Sequence, residues 1–250
     1  MKTYLLVILS FVLFFCGNAQ QSPTSAAVVK SGLSIKKQLA TSSLVKNVLF
    51  TNIGPTVMSG RVVDVAVNPE NPIEFYVGYA SGGLWYTANN GTTFIPVMDN
   101  AETINVGDIA VDWKNNIIWV GTGENNSSRS SYAGIGILKS TNRGKTWQHM
   151  GLPDSHHIGR IILNPKNPDE VVIGVIGHLY SPNEERGIYK TTDGGATWNK
   201  TLFISSETGI IDVAYVPGNF NVMYAAAWEK DRKAWNFKGN GSQSGIYKSR

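Results

Sequence analysis

The 250-residue chain has one cysteine, Cys16, and it lies at the end of an N-terminal apolar run. The remainder can build neither a disulfide framework nor thiolate chemistry. Charge is also scarce. Asp, Glu, Lys and Arg make up 16% of residues, the formal net charge is +4, and no dense Lys/Arg cluster occurs. That pattern excludes a nucleic-acid footprint, and no nucleic-acid partner is expected. The one long apolar stretch, Tyr4 to Phe15, is too short for a comfortable membrane span. Of the four histidines, His156 and His157 read as strand neighbours facing opposite ways. No His/Cys/Asp group has metal-ligand spacing, and the glycines sit in turns and form no phosphate cradle. Neither a metal nor a cofactor is expected.

The N-terminus is informative. Lys2, an apolar run and the small residues Gly17-Asn18-Ala19 form a signal-peptide pattern over 1–19, cleaved after Ala19. The alternative is a lipoprotein signal that anchors the chain through Cys16. Either way the expected location is outside the cytoplasm, extracellular or periplasmic. Residues 20–44 read as a polar leader with little to offer a core.

Abundant glycine and few helix-favouring runs point to many short strands. The strands repeat. "GILKSTNRGKTWQHMG" from Gly136 matches "GIYKTTDGGATWNKTL" from Gly187, "GLWYTANNGTTFIPVM" from Gly83 is a weaker copy, and "GIYKSR" from Gly245 opens another. The first turn residues, Thr87, Ser140, Thr191 and Ser249, recur about every 50 residues, a solenoid or propeller period. Upstream of each copy lies a hairpin pattern, such as "VVDVAVNPENPIEFYVGYA" from Val62 and "IGRIILNPKNPDEVVIGVI" from Ile158. One unit is thus four strands, for example Val62–Val67, Phe75–Tyr79, Leu84–Thr87 and Thr93–Met98. The predicted fold is an all-β propeller of four-stranded antiparallel blades, about 60–99, 104–153, 157–204 and an incomplete 208–250. A stretch at about 46–54 resembles a lone fourth strand. The domain reading is therefore the N-terminal part of a longer propeller at 45–250, with further domains expected beyond it.

The turn between strands three and four is structural. Asp193 accepts hydrogen bonds from its own turn, Gly195 permits the tight geometry and Trp198 packs between blades. Asn142, Gly144 and Trp147 play these parts in the preceding copy, and Asn89 and Gly91 in the first. Candidate function lies on the opposite face, where the connections between strands two and three lengthen: Glu124 to Gly136, His178 to Gly187 and Glu229 to Gly245. Their binding candidates are Glu124, Arg129, Tyr132, His178, Glu184, Arg186, Trp228 and Trp235; ordinary solvated loops are the alternative. Asp64, Asp108, Arg160 and Asp212 align near the start of each innermost strand, with Arg61, Asn105 and His157 one step earlier. Asp64 and Asp108 could form a glycosidase carboxylate pair. The competing reading is a salt-bridged channel rim centred on Arg160.

With these strings the chain resembles the secreted sortilin-like, BNR-repeat (Asp-box) "glycosyl hydrolase" propellers, a group related to the xyloglucanases. The carrying stretches are "NIGPTVMSGRVVDVAVNPENP", "YASGGLWYT", "VGTGENN", "HIGRIILNPKNPDEVVIG", "GHLYSPNEERGIYKTTDGGATW" and "YAAAWEKDRKAWNF", together covering 50–250. The resemblance implies peptide binding, as in sortilin, or β-glucan cleavage by two aspartates, as in xyloglucanases. A xyloglucanase aspartate expected just before Gly82-Gly83 is replaced by Ser81. The expected function is a secreted or surface-anchored propeller that binds a polypeptide or glycan through its loop face. The alternatives are a glycoside hydrolase using channel carboxylates and a purely architectural module.

Overall fold

The computed structural model describes residues 22–49, 58 and 60–249. The signal-peptide segment, Cys16 and most of the lone strand expected at 46–54 lie outside the described residues. The described part of the latter, 46–49, is turn and coil. The only helix among the described residues is α1 (Ala26–Ser42), N-capped by Ser25, with no buried residue. The leader reading missed this helix because its apolar residues lack a strong one-sided pattern. Among the described residues no helix is long and apolar enough to cross a membrane.

The rest is a stack of antiparallel sheets, each in simple up-and-down order. The first holds β1 (Val62–Val67), β2 (Phe75–Tyr79), β3 (Gly83–Thr87) and β4 (Ile95–Pro96). The second holds β5 (Val106–Asp112), β6 (Ile117–Thr122), β7 (Ile137–Ser140) and β8 (Gln148–His149). The third holds β9 (Ile158–Asn164), β10 (Asn167–Val175), β11 (Gly187–Thr191) and β12 (Asn199–Leu202). In the fourth, β13 (Thr208–Val216) and β14 (Asn219–Glu229) pair with β17 (Gly245–Lys248). The intervening insertion folds into a small ribbon, β15 (Asp231–Arg232) with β16 (Phe237–Lys238), where the sequence suggested only a loop. These are about four propeller blades, as the repeat period predicts. The outermost strands are shorter than expected, two residues each in the first two sheets. Pro96 cannot donate to a ladder and sits where that costs least, on the edge.

Strand periodicity builds the core. Ile118 and Val120 point from β6 toward the first sheet, where they meet Tyr76, Leu84 and Met98. Trp119, between them in sequence, points the other way, toward Ile161, Val171 and Ile173 of the third sheet. Val172 faces on to Ile210 and Val213 of the fourth. Each central strand is therefore apolar on both faces, which is what sheets stacked face to face require.

The turn copies share one hydrogen-bond pattern. In the third, Thr191 Oγ1 donates to Asp193 Oδ1 (2.7 Å) and accepts from Gly195 N (3.0 Å), while Thr197 N donates to Asp193 Oδ1 (2.9 Å). The second repeats this with Ser140, Asn142, Gly144 and Thr146, and the first with Thr87, Asn89, Gly91 and Thr93. Asparagine substitutes because only its oxygen accepts from the turn backbone. The turn then locks neighbouring sheets together. Trp198 Nε1 donates to Met150 O (2.6 Å), and Trp147 Nε1 donates to Val97 O (3.0 Å). Trp198 also meets Trp119 edge-on, with ring centroids 6.2 Å apart. Gly195, at φ +93°, lies so close that a Cβ would stand 2.7 Å from the Trp119 ring.

Trp119→Ala should cost about 3–5 kcal/mol, the range for emptying a buried aromatic site, read as a shift of the denaturant midpoint. The turn's hydrogen bonds hold the Asp193 carboxyl down at about 2 from its ordinary 3.8. A depressed folded-state value stabilises above the ordinary value, and that contribution is lost as pH falls through about 2. Asp193→Asn should therefore lower the melting temperature at neutral pH only slightly, and the gap from the parent should close between pH 3.8 and about 2. A gap that widened on acidification would contradict this account.

Candidate functional site

The four aligned channel residues share a backbone device that the sequence did not disclose. In every sheet the register of the innermost strand slips by one residue just before them. Val62 pairs with Tyr79 and Asp64 with Gly78, leaving Val63 extra. Gly107, Gly159 and Ile211 are the extra residues in β5, β9 and β13. A bulge of this kind re-aims the next side chain. Here it directs Asp64 and Asp108 sideways to the next sheet. Asp64 Oδ2 accepts from Ile109 N (3.3 Å), and Asp108 Oδ2 accepts from Ile161 N (2.6 Å). Two bulge positions need glycine, because a Cβ on Gly107 would lie 2.3 Å from Ile158 O and one on Gly159 2.5 Å from Ile211 O.

The same positions carry the charge. Arg160 Nη1 donates to Asp108 Oδ1 (3.2 Å) and Nε to Asp212 Oδ1 (2.7 Å). Asp108 is 1% exposed, whereas the Asp212 side chain is 54% exposed. Burial pushes the Asp108 carboxyl well above the usual range, Arg160 pulls it back and the Asp64 charge adds to the rise. Arg160 thus bridges the Asp108 and Asp212 carboxylates of the sheets on either side of its own. Asp64 and Asp108 are brought to neighbouring strands, each engaged with the sheet that follows.

One step earlier, the aligned residues hold the longest loop of the second sheet. Arg61 pairs with the buried Glu124 carboxylate, Asn105 Nδ2 donates to Ala133 O (2.9 Å), and His157 Nδ1 lies 2.7 Å from Glu124 O. Arg186, a binding candidate in the sequence, is 2% exposed and donates to the carbonyls of His178, Ser181 and Glu207. Burial brings its guanidinium down to about 10. Lys230, which sequence reasoning passed over, is also buried, donates to His178 O (3.0 Å), and is held down at about 7 by burial and by Arg186. Arg186 therefore shapes its loop from below.

Between these loops and the start of α1 opens a cleft of about 670 Å³. Its walls come from Ser131 and Ala133 to Ile135 of the second sheet, His178 to Pro182 of the third, Lys233 of the fourth, and His156 and His157. Tyr180 borders it and donates to Arg129 O (2.7 Å). Tyr132 and Trp235 are 58% and 81% exposed. Trp228 Nε1 donates to Gly239 O (2.8 Å), with its ring edge-on to Phe237. Glu184 is exposed, and its carbonyl accepts from Lys200 Nζ (2.5 Å). Of the predicted binding residues, His157 and His178 line the cleft, Glu124 and Arg186 support its loops, and Arg160 and Asp212 pair with each other away from it.

The histidine reading requires correction. His156 and His157 precede β9 and do not alternate along it; His156 adopts φ +54°. Its ring stacks on His178, centroids 3.9 Å apart, while His157 is buried behind. Burial and the neighbouring His178 hold His156 down at about 4, so its imidazole is neutral at neutral pH. Asp154, His156 and His178 gather donor atoms within 4.8 Å of one another, a group with metal-binding chemistry that linear spacing concealed. Asp154 and His156 lie two residues apart in sequence. His178 arrives from the loop after β10.

No protein-family model matches the chain. The probable oligoxyloglucan-reducing end-specific xyloglucanase of Neosartorya fischeri is 27% identical over 156 residues, which cover 54% of this chain and 17% of that protein. Among solved structures, an ancestral GH74 enzyme is 25% identical, with a TM-score of 0.51 over 68% of this chain and 22% of that one. The GH74 enzyme of Niastella koreensis is 23% identical, with a TM-score of 0.51 over 75% and 28%. The chain thus spans less than a third of the length of these relatives. The likeness comprises propeller architecture and a link to xyloglucanase-type hydrolases.

Asp108→Ala should cost about 1–3 kcal/mol, because it strands the Ile161 N–H and the Arg160 guanidinium. Asp64→Ala should cost less, since Asp64 is more exposed and its bond is longer. Equal denaturant midpoints for the two variants would refute the inter-sheet role assigned to Asp108.

Proposed function

We propose that this chain forms part of an exported propeller that binds a glycan in the cleft on its loop face. The observation that carries this reading is the division of labour among polar groups. Asp64 and Asp108, the two residues the sequence suggested for acid–base work, accept from the backbone of the next sheet. The loops that follow β6 and β10 instead form a concave wall bordered by Tyr180 and imidazole edges. A tyrosine ring beside serine hydroxyls and imidazoles suits a sugar ring, which offers apolar C–H faces and a rim of hydroxyls. The xyloglucanase relative makes xyloglucan the first ligand to test. The signal-peptide pattern supports export.

One observation favours a second reading, hydrolysis. Burial raises the Asp108 carboxyl, as a general acid requires, and Asp64 lies on the adjacent inner strand. Against it stands Ser81, where the xyloglucanase resemblance calls for a carboxylate.

The test incubates the full chain with xyloglucan and a panel of plant and microbial polysaccharides, scoring retention and new reducing ends. The expected outcome is retention without cleavage, weakened about 10-fold or more by Tyr180→Ala, as for an aromatic anchor. Reducing ends that vanish with Asp64→Asn or Asp108→Asn would make the protein a hydrolase. If the panel yields neither retention nor cleavage, the glycan reading fails and polypeptide partners come next.

A further inference from the structure

We propose that Asp154, His156 and His178 form a binding site for a divalent transition ion of the zinc class, at the edge of the loop-face cleft. The site does not depend on what fills that cleft.

The geometry begins with His178. Its side chain is 6% exposed, and its Nε2 is buried without a hydrogen-bond partner, although Asp154 Oδ1 lies 3.3 Å away. A buried imidazole nitrogen left unpaired is costly, so such an atom calls for an explanation. Its other nitrogen, Nδ1, is occupied by Ser181 Oγ at 2.8 Å, which fixes the ring and aims Nε2 at the carboxylate. His156 Nε2 lies 3.9 Å from the same Asp154 oxygen. Zinc–ligand bonds of about 2.0–2.1 Å place neighbouring donors on a tetrahedron about 3.3–3.5 Å apart. The two separations from Asp154 Oδ1 lie at or within about half an ångström of that spacing, and all three donor atoms lie within 4.8 Å of one another.

The surroundings resemble a second coordination shell. Asn183 Nδ2 donates to both Asp154 O and Asp154 Oδ2 (3.1 Å each), leaving Oδ1 for the ion. Asp154 N donates to Glu185 Oε2 (3.0 Å), which ties the ligand's backbone to the same loop. Arg186 and Lys230 hold the His178 carbonyl from behind. Ligands oriented in this way by outer partners are the usual construction of protein metal sites. Two imidazoles and one carboxylate select zinc, cobalt or nickel over calcium or magnesium, which prefer all-oxygen shells. Three protein ligands leave a fourth position open. His156 and His178 both line the cleft, so that position is available to a water or to an oxygen of a bound ligand.

The test uses tag-free full chain, stripped with a chelator and titrated with cobalt(II). One equivalent should produce the visible absorption of tetrahedral cobalt, and zinc should displace it while calcium and magnesium should not. His156→Gln and His178→Gln should each weaken binding by more than about 100-fold, and Ser181→Ala by about 10-fold, the scale of outer-shell losses. His149→Gln, which changes the remaining histidine outside the group besides His157, should bind as the parent does. Melting curves accompany every variant. Should His178→Gln fail to fold, the less buried His156→Gln carries the test. Absence of saturable cobalt and zinc binding, or binding that survives His156→Gln, overturns the assignment.

Discussion

A carboxylate that leaves its own sheet to accept a backbone N–H from the next holds the inner edge of this molecule together. The Asp108 Oδ2 to Ile161 N bond, at 2.6 Å, is the tightest instance. It exists only because Gly107 adds a residue to β5 and turns the following side chain sideways. Gly107 must be small, because the neighbouring backbone passes within contact distance of it. The residues paired with the channel charges are correspondingly Gly78, Gly121, Gly174 and Ala226. Val106, Ile158 and Ile210, which lead the following sheets, pack into the space those glycines leave. Bulge, small partner and leading apolar residue form one unit, repeated at each junction.

Burying Asp108 is not in itself a source of stability. Desolvation of a carboxylate offsets most of what Arg160 returns, and buried ion pairs often contribute little beyond an apolar substitute. What they supply is geometry. An apolar contact tolerates sliding of one sheet over another, whereas a carboxylate committed to Ile161 N and Arg160 tolerates very little. The inner ion pairs and the outer Trp198–Met150 bond together fix two edges of the same pair of sheets. That restraint sets where the loops of adjacent sheets stand relative to each other, and hence the width of the cleft.

Much of the architecture was legible because repetition exposes it. Thr87, Ser140 and Thr191 mark turns whose hydrogen bonds agree within a few tenths of an ångström, and that chemistry is local. Strand order followed from the hairpin signals. The bulges were hidden, since an extra residue in a strand leaves no mark in composition, and Val63 and Ile211 have ordinary strand side chains. Helix α1 was hidden for a different reason: none of its residues is buried, so nothing imposed a periodic stripe on it. The site was only half legible. Alignment of the repeats found Arg61, Asn105 and His157 as a set, and they converge on one loop. It could not find Lys230 beneath His178, nor the meeting of Asp154 and His156 with His178, because those contacts join segments with no counterpart in the other sheets.

The distribution of buried cations shows why that loop is worth holding. Arg186 and Lys230 are both buried, and both spend their donors on main-chain carbonyls, His178 O among them. Burying two cations is unfavourable: burial lowers both groups, and the Arg186 charge adds to the lowering of Lys230. A loop with no task would shed such a cost through any number of apolar replacements. Here the cost is tied to the position of one residue, His178, whose ring is also held by Ser181 and stacked on His156. Interactions that sacrifice stability to fix a single side chain are characteristic of functional sites, where preorganisation lowers the entropy lost on binding. By that argument, the floor of the cleft around His178 is where the molecule concentrates its constraint.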